Sequence, residues 1–259
     1  MTWQVSPVLF HLGPLQIRWY GLLFASGFLI GYALLQKFYE WEKEDPAELE
    51  KLFIYMMIGT VLGARLGHCL FYDPLYYLQN PLEILKVWHG GLASHGGVIG
   101  TLTAVYLFGR RVSHKSWLWV ADRVSIAAIL TGALIRIGNF FNSEIIGKPT
   151  DLPWAVQFLR VDVMPRHPSQ VYESICYFLI FILLLSVYKR QKEKTPEGLI
   201  LGLFFTLVFS VRFLIEWTKE NQSDFENNMP INMGQLLSLP LIAFGLWLIW
   251  RSQSAHKVK

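Results

Sequence analysis

Seven stretches of this 259-residue chain are each close to 20 residues long and nearly free of charge: Ile17 to Gln36, Leu52 to Tyr72, Gly90 to Phe108, Trp117 to Ile135, Gln170 to Tyr188, Leu199 to Trp217 and Met233 to Trp250. About 20 mostly apolar residues suffice for a helix to cross the hydrocarbon core of a bilayer. Inside that core every backbone polar group must be satisfied within the spanning element, so long apolar runs read as helices. The pattern predicts an all-α, polytopic membrane protein with seven transmembrane helices. The third stretch is the least apolar, with Gly90, Gly91, Gly96, Gly97 and Gly100. Those glycines are poor in a soluble helix but let helices approach closely in a membrane.

Composition agrees. Charged residues make up 16% of the chain and apolar residues 53%, against roughly 25% charged in an ordinary soluble protein. That excludes a disordered chain, a secreted disulfide scaffold and most water-soluble enzymes. Cys69 and Cys176 lie inside apolar runs and read as small core residues. The net charge of +4 is spread without a basic block, which gives no argument for nucleic acid and leaves the lipid bilayer as the natural partner. No repeat, low-complexity tract or soluble insert is visible, so residues 1–259 read as a single integral-membrane domain. Met1 to Gln16 lacks the basic start of a signal peptide, so the first span is expected to remain as an anchor.

Lysine and arginine in the short connections predict the orientation. One set of segments holds Lys37, Lys43, Lys51, Arg110, Arg111, Lys115, Lys189, Arg190, Lys192, Lys194, Arg251, Lys257 and Lys259, thirteen in all; the opposite set holds Arg18, Lys86, Arg136, Lys148, Arg160, Arg166 and Lys219. The richer side is assigned to the cytoplasm, which puts the C-terminus inside and the N-terminus outside. The connection from Arg136 to Ser169, between the fourth and fifth spans, is the one long enough for structure of its own. Pro149, Pro153, Pro165 and Pro168 argue against a continuous helix there, and Trp154 to Leu159 reads as a short strand or interfacial segment. Pro240 marks a kink site in the last span.

With that orientation the polar residues within the spans gather at one leaflet. Arg18 and Tyr20 fall at the outer end of the first span, Arg65 and His68 in the outer part of the second, and His95 one to two turns into the third. Arg136 and Asn139 mark the outer end of the fourth, Glu173 that of the fifth, and Arg212 with Glu216 that of the sixth. Asp122 and Arg123 sit near the opposite face. Taken singly these have plain readings: Arg212 and Glu216 as an i, i+4 ion pair, Arg136 as a snorkelling residue, His95 and His68 as hydrogen-bonded interior histidines, and Tyr20 beside Trp19 as part of an aromatic belt. Their convergence favours a site. Buried ionisable groups are costly in a membrane and face an interior, a cavity or a partner, and arginine's planar fork suits phosphate oxygens. A phospholipid headgroup is the phosphate available at that depth. No zinc, calcium, P-loop or serine-hydrolase motif is present, and no metal or cofactor is called for.

Three segments carry a family resemblance: Gly90-Gly91-Leu92-Ala93-Ser94-His95-Gly96-Gly97, Arg136-Ile137-Gly138-Asn139-Phe140-Phe141-Asn142-Ser143-Glu144, and Arg166-His167-Pro168-Ser169-Gln170-Val171-Tyr172-Glu173. Together with Arg18-Trp19-Tyr20-Gly21, Arg212 through Glu216 and Met233-Gly234-Gln235, they resemble, in matching order, the signatures of bacterial prolipoprotein diacylglyceryl transferases. The resemblance implies a plasma-membrane enzyme whose active site opens to the outer leaflet. Its substrates would be phosphatidylglycerol and the lipobox cysteine of a preprolipoprotein, its products a thioether and glycerol phosphate. By the same resemblance, His95, Tyr20, Arg212 and Glu216 take catalytic roles, and Arg136, Asn139, Glu144 and Gly147 bind substrate. Ile135 and Ser143 depart from the pattern, which has glycine at both positions, and are expected to affect helix packing around Arg136.

The implied reaction is displacement at a saturated carbon, in which phosphate moves from one negative charge toward two. Arginines touching it therefore stabilise the transition state more than the substrate. Arg136 is the first choice for that contact and Arg212 the second, with Glu144 and Glu216 holding arginines in place and Asn139 donating to the headgroup. His95 is the candidate base for a thiol of reference pKa about 8.5. A transporter for a phosphorylated or anionic solute is the competing class. It would be favoured by a cavity reaching Asp122 and Arg123, and an intramembrane protease lacks the necessary pairs.

Overall fold

The computed structural model describes residues 1–13, 15–87, 91, 93–220 and 231–257. Gly90, Leu92 and Lys259, which figured in the sequence reading, lie outside the described residues. The chain divides into two compact units, one formed by Met1–Leu35 with Asp122–Lys259 and the other by Gln36–Ala121.

The chain is mostly helical, and among the described residues six helices are long and apolar enough to cross a membrane. These are α1 (Trp19–Glu42), α2 (Pro46–Phe71), α5 (Trp117–Asn142), α6 (Ser169–Gln191), α7 (Leu199–Ile215) and α8 (Met233–Lys257). Between them lie the short α3 (Pro74–Gln79) and α4 (Ser94–Arg111). The third predicted span is thus a helix, α4, but its 18 residues reach only about 27 Å, and with His95, Arg110 and Arg111 in its sequence it is not among the six. It begins at Ser94, so His95 sits in its first turn rather than one to two turns in. The helices leave Leu29, Ile58, Leu179 and Leu246 exposed, the apolar surface that a bilayer solvates.

The all-α expectation needs a correction, because two small sheets are present among the described residues. β2 (Val8–Leu12) and β3 (Leu15–Arg18) form an antiparallel hairpin directly before α1, with Leu12 opposite Leu15. β1 (Thr2–Trp3) runs parallel to β4 (Val156–Phe158), which pairs antiparallel with β5 (Pro165–Arg166). β4 lies within the predicted Trp154 to Leu159 segment. The Met1 ammonium donates to the Ala155 carbonyl at 3.1 Å, and Trp3 packs its ring 4.3 Å from Phe140 and 5.4 Å from Phe141. This sheet is thereby fastened to the last turns of α5. Elements this short carry too little period to be seen in sequence.

In the larger unit, close helix contacts use small residues. A Cβ on Gly27 would lie 2.8 Å from the Thr131 side chain, and one on Gly245 2.7 Å from the Thr206 nitrogen. α7 is capped from outside itself: Asp122 Oδ2 accepts from the Gly198 amide and Oδ1 from the Leu201 amide, each at 2.8 Å. A carboxylate at a helix N-terminus satisfies orphan donors and the dipole together. Arg123 lies over the Tyr188 ring at 5.4 Å. Both residues are fully buried.

The smaller unit is built on α2 against α4. Gly59, Gly63 and Gly67, at i, i+4 and i+8 on α2, face Gly96, Gly100 and Ala104 on α4, and a Cβ on Gly63 would fall 2.3 Å from the Gly96 carbonyl oxygen. Thr60 and Thr101 share a hydroxyl hydrogen bond of 2.7 Å across the same seam. Arg65 is buried and serves structure: Nε donates to the Ile84 carbonyl at 2.9 Å, Nη1 to Gly91 at 3.2 Å and Nη2 to Glu83 at 2.5 Å. The Ala93 amide donates to the Ala64 carbonyl at 2.9 Å. Together these hold the chain that leads into α4 and His95.

Candidate active site

The sequence-predicted residues of the larger unit gather around the end of α5. Asn139 lies one turn after Arg136, so both project from one face, and Arg136 Nη1 donates to Asn139 Oδ1 at 3.3 Å. The helix then stops in a left-handed turn. Ser143 has φ +58°, its amide donates to Phe140 O at 3.1 Å, and the Glu144 amide donates to Asn139 O at 3.0 Å. This is the Schellman closure, whose left-handed position is usually glycine. The Ser143 departure therefore bears on backbone conformation rather than on helix packing, and α5 runs unbroken through Ile135. Ile145 also has a positive φ, +55°, an uncommon state for a β-branched residue.

The turn folds Glu144 back over α5. Its Oε2 accepts from Asn139 Nδ2 at 3.1 Å and its Oε1 from Asn142 Nδ2 at 3.2 Å, while Gln170 Nε2 donates to its carbonyl. Glu144 thus fixes amides and not an arginine. Gly147 lies where three segments meet. Its amide donates to His167 O at 3.0 Å, it bridges Lys219 in antiparallel fashion, and a Cβ there would fall 2.5 Å from His167 Cβ and 2.6 Å from Ser169 Oγ. Only glycine fits.

Arg166 secures the same junction, donating through Nη1 to the Gly147 carbonyl at 3.2 Å and to Glu220 at 2.5 Å, and through Nε to Asp162 at 3.0 Å. The hydrogen bonds from Arg166 hold the Asp162 carboxyl below the usual carboxylate range, and those to Asp162 and Glu220 push the Arg166 guanidinium further up.

The carboxylate that holds Arg136 is Glu173, with Oε2 at 2.7 Å from Arg136 Nε. Among the described residues no N–H is aimed at that oxygen, so the contact is an ion pair rather than a fork. Glu173 Oε1 accepts from Lys219 Nζ at 2.9 Å, and the same ammonium donates to Glu216 Oε2 at 2.9 Å. The expected Arg212–Glu216 ion pair is therefore replaced by Lys219–Glu216. Arg212 is half-buried, and among the described residues it has no carboxylate partner. Tyr177 hydrogen-bonds the Arg136 side chain and is within electrostatic reach of Arg212 as well. Tyr20 opens α1 and lies on Gly138 of α5, where a Cβ would fall 2.9 Å from its ring. Its phenol is within reach of Glu144 and Arg136.

Tyr20, Arg136, Asn139, Glu144, Gly147, Arg212 and Glu216 thus belong to one unit, with Glu173 and Lys219 added to it. His95 belongs to the other, exposed in the first turn of α4. By sequence Lys219 counts among the outer-side charges, although its i, i+3 spacing from Glu216 already permits a pair. Chemically the larger unit's cluster offers two arginines, an aromatic hydroxyl and an amide. That set matches a phosphate diester with polar substituents.

The sequence model described as prolipoprotein diacylglyceryl transferase matches residues 7–251. The chain belongs to this family. Relatives named phosphatidylglycerol--prolipoprotein diacylglyceryl transferase include one from Chloroherpeton thalassium, 54% identical over 96% of this chain and 93% of its own length. A relative of the same name from Tolumonas auensis is 51% identical over 96% of both chains. Another from Porphyromonas gingivalis is 47% identical over 97% of this chain and 94% of its own. Within the family's fold, the Arg136 to Glu144 motif is a helix end closed on its own amides, and the Arg166 to Glu173 motif supplies the carboxylate and the strand that surround it.

Proposed function

We propose that this chain transfers the diacylglyceryl group of phosphatidylglycerol to the cysteine thiol of prolipoproteins. The observation that carries the reading is the likeness to enzymes of that name over nearly the whole chain. The charged cluster at the end of α5 supports it, since it supplies the phosphate-binding chemistry the reaction needs. The cysteine sulfur attacks C3 of the diacylglycerol moiety, the C3–O bond breaks, and its electron pair leaves on glycerol phosphate. The thiol proton passes to a base.

Arg136 is assigned the phosphate, because its guanidinium carries five N–H donors and its contacts with Glu173, Asn139 and Tyr177 do not use all of them. Arg212 is assigned a second phosphate contact. Tyr20 and Asn139 contribute neutral donors, and Gly147 and Glu144 shape the wall. Glu216 sets the Lys219 ammonium. His95, exposed at the start of α4, is assigned the thiol proton. No step calls on a metal or cofactor.

We place the enzyme in the bacterial plasma membrane as one multi-pass domain of seven spans, α4 included. Its N-terminus and the α5–α6 connection face outward, its C-terminus is in the cytoplasm, and its site opens to the outer leaflet. Incubating purified protein with phosphatidylglycerol vesicles and a lipobox peptide, then weighing the peptide, tests the reaction. A diacylglyceryl mass increment on the cysteine is the expected product, and an unmodified peptide together with vesicle-to-medium solute flux would replace this reading with transport.

A further inference from the structure

Among the described residues of the larger unit, Lys219 is the most deeply buried ammonium that the reaction scheme leaves without a task. Its side chain is 2% exposed. Lysine is almost never fully buried unless paired, and a buried pair is kept only where its geometry repays desolvation. Lys219 has that geometry, with Glu173 and Glu216 each at 2.9 Å. It arrives there because its backbone bridges Gly147 and because the Lys148 amide donates to Thr218 O at 2.8 Å. The segment after α7 is thereby tied to the loop after α5.

The consequence falls on Arg136. Glu173 is fully buried and divides its two oxygens between Lys219 and Arg136. With the ammonium present, Glu173 and Glu216 are balanced by two cations. Without it, the two buried carboxylates would draw on the arginines, first on Arg136 as the direct partner of Glu173, and a phosphate approaching that guanidinium would meet less positive charge. The Arg136–Glu173 contact is governed by charge rather than by an aimed N–H, so it is sensitive to how much of Glu173's charge is taken up elsewhere.

We propose that Lys219 is a positioning residue for the phospholipid headgroup: by sharing Glu173 and Glu216 it leaves the positive charge of Arg136 for phosphate. The proposal rests on the diacylglyceryl-transfer reading. It predicts a selective defect, since the lipid substrate carries the charge that Arg136 must meet and the thiol peptide does not.

The test is steady-state kinetics on Lys219→Met and Lys219→Arg, varying phosphatidylglycerol and lipobox peptide separately. Lys219→Met is expected to lose about tenfold or more in kcat/KM for phosphatidylglycerol, the effect of one charged hydrogen bond, with the peptide KM unchanged within about twofold. Lys219→Arg, which can reach both carboxylates, is expected to return within about threefold of wild type. If Lys219→Met does not accumulate, Lys219→Gln, which keeps one donor, gives the same two constants. A wild-type enzyme that forms no thioether defeats the underlying reading. An active wild type overturns the proposal if Lys219→Met or Lys219→Gln loses less than threefold for the lipid, if the peptide KM rises in step with the lipid KM, or if Arg rescues no better than Met.

Discussion

Gly234 is pressed against the Glu216 carboxylate, so that a Cβ at position 234 would fall 2.5 Å from Glu216 Cδ and 2.6 Å from Oε1. The contact brings the first turn of α8 onto the end of α7. That turn is held rigidly: Asn232 Oδ1 accepts from the Gln235 amide at 2.9 Å, and Gln235 Oε1 accepts from the Asn232 amide at 3.1 Å. This is a reciprocal capping box. Gln235 Nε2 also donates to Phe213 O at 3.3 Å.

Gly234→Ala should therefore act through Glu216. A carboxylate at the end of a flexible side chain can usually swing aside, but here Lys219 holds it at 2.9 Å, and moving it disturbs Glu173 as well. Overpacking at such a contact costs about 1–3 kcal/mol. Thioether formation should fall about tenfold or more while the protein still accumulates. Equal activity of Gly234→Ala and wild type in the mass assay would mean that Glu216 is free to move.

Arg136→Lys keeps charge and loses the fork. A point ammonium cannot hold two phosphate oxygens and a neighbouring carboxylate in one plane, and losing one well-placed charged donor in a transition-state site costs about 10²–10³ in rate. Turnover should fall by about that factor at normal protein level, with Arg136→Gln at least as impaired. Near-normal turnover of the lysine variant would leave Arg136 only a long-range electrostatic role.

Ser143 offers a stability test. A non-glycine residue in the left-handed region costs about 1–2 kcal/mol, offset in part by the greater chain entropy of glycine when unfolded. Ser143→Gly should raise unfolding stability in detergent by about 0.5–1 kcal/mol and leave thioether formation near wild type. Denaturant titration followed by tryptophan fluorescence measures it, and a loss of stability would mean that the Ser143 hydroxyl makes a compensating contact.

How far these positions were legible in the sequence depended on what each signal reports. Arg136, Asn139 and Glu144 stood out because the motif is contiguous and local helix geometry brings Arg136 and Asn139 onto one face. The partners did not. Glu173 was placed at a helix end, but nothing in its spacing says that it reaches Arg136 on another helix. Lys219 was hidden because a lysine after an apolar run is counted as a loop charge, and only the strand-like bridge to Gly147 turns it inward. The Gly59, Gly63 and Gly67 stripe was equally quiet, since its meaning appears only with Gly96 and Gly100 opposite. The strands at Thr2–Trp3 and Pro165–Arg166 are two residues each, below any period that sequence can show.

Topology is tested at two exposed positions. Cysteine at 194 should be shielded from a membrane-impermeant maleimide in intact cells, and cysteine at 148 should react, because the basic residues of the short connections favour the cytoplasm for the segment containing Lys194. Labelling of position 194 without permeabilisation would reverse the orientation.

His95 divides two mechanisms. As base, it takes the thiol proton, so His95→Gln should leave the protein inserted and able to bind phosphatidylglycerol while slowing the thiol-dependent step by about 10²–10⁴. A free thiol ionises with a reference pKa near 8.5. Raising the pH from 6 to 9 supplies thiolate without help, and the variant should gain on wild type across that range. As a spacer or hydrogen-bond donor beside Gly96 and Gly97, the ring would be replaceable: Gln would restore activity and the two pH profiles would run parallel. The structure leaves His95 exposed in the first turn of α4, where the incoming chain is fixed by the Ala93 to Ala64 bond. The ring is thus carried on a fixed turn without being packed into the seam, an arrangement suited to proton transfer. Rates of thioether formation for both proteins between pH 6 and 9 decide, and parallel profiles with substantial variant activity would remove His95 from the chemistry.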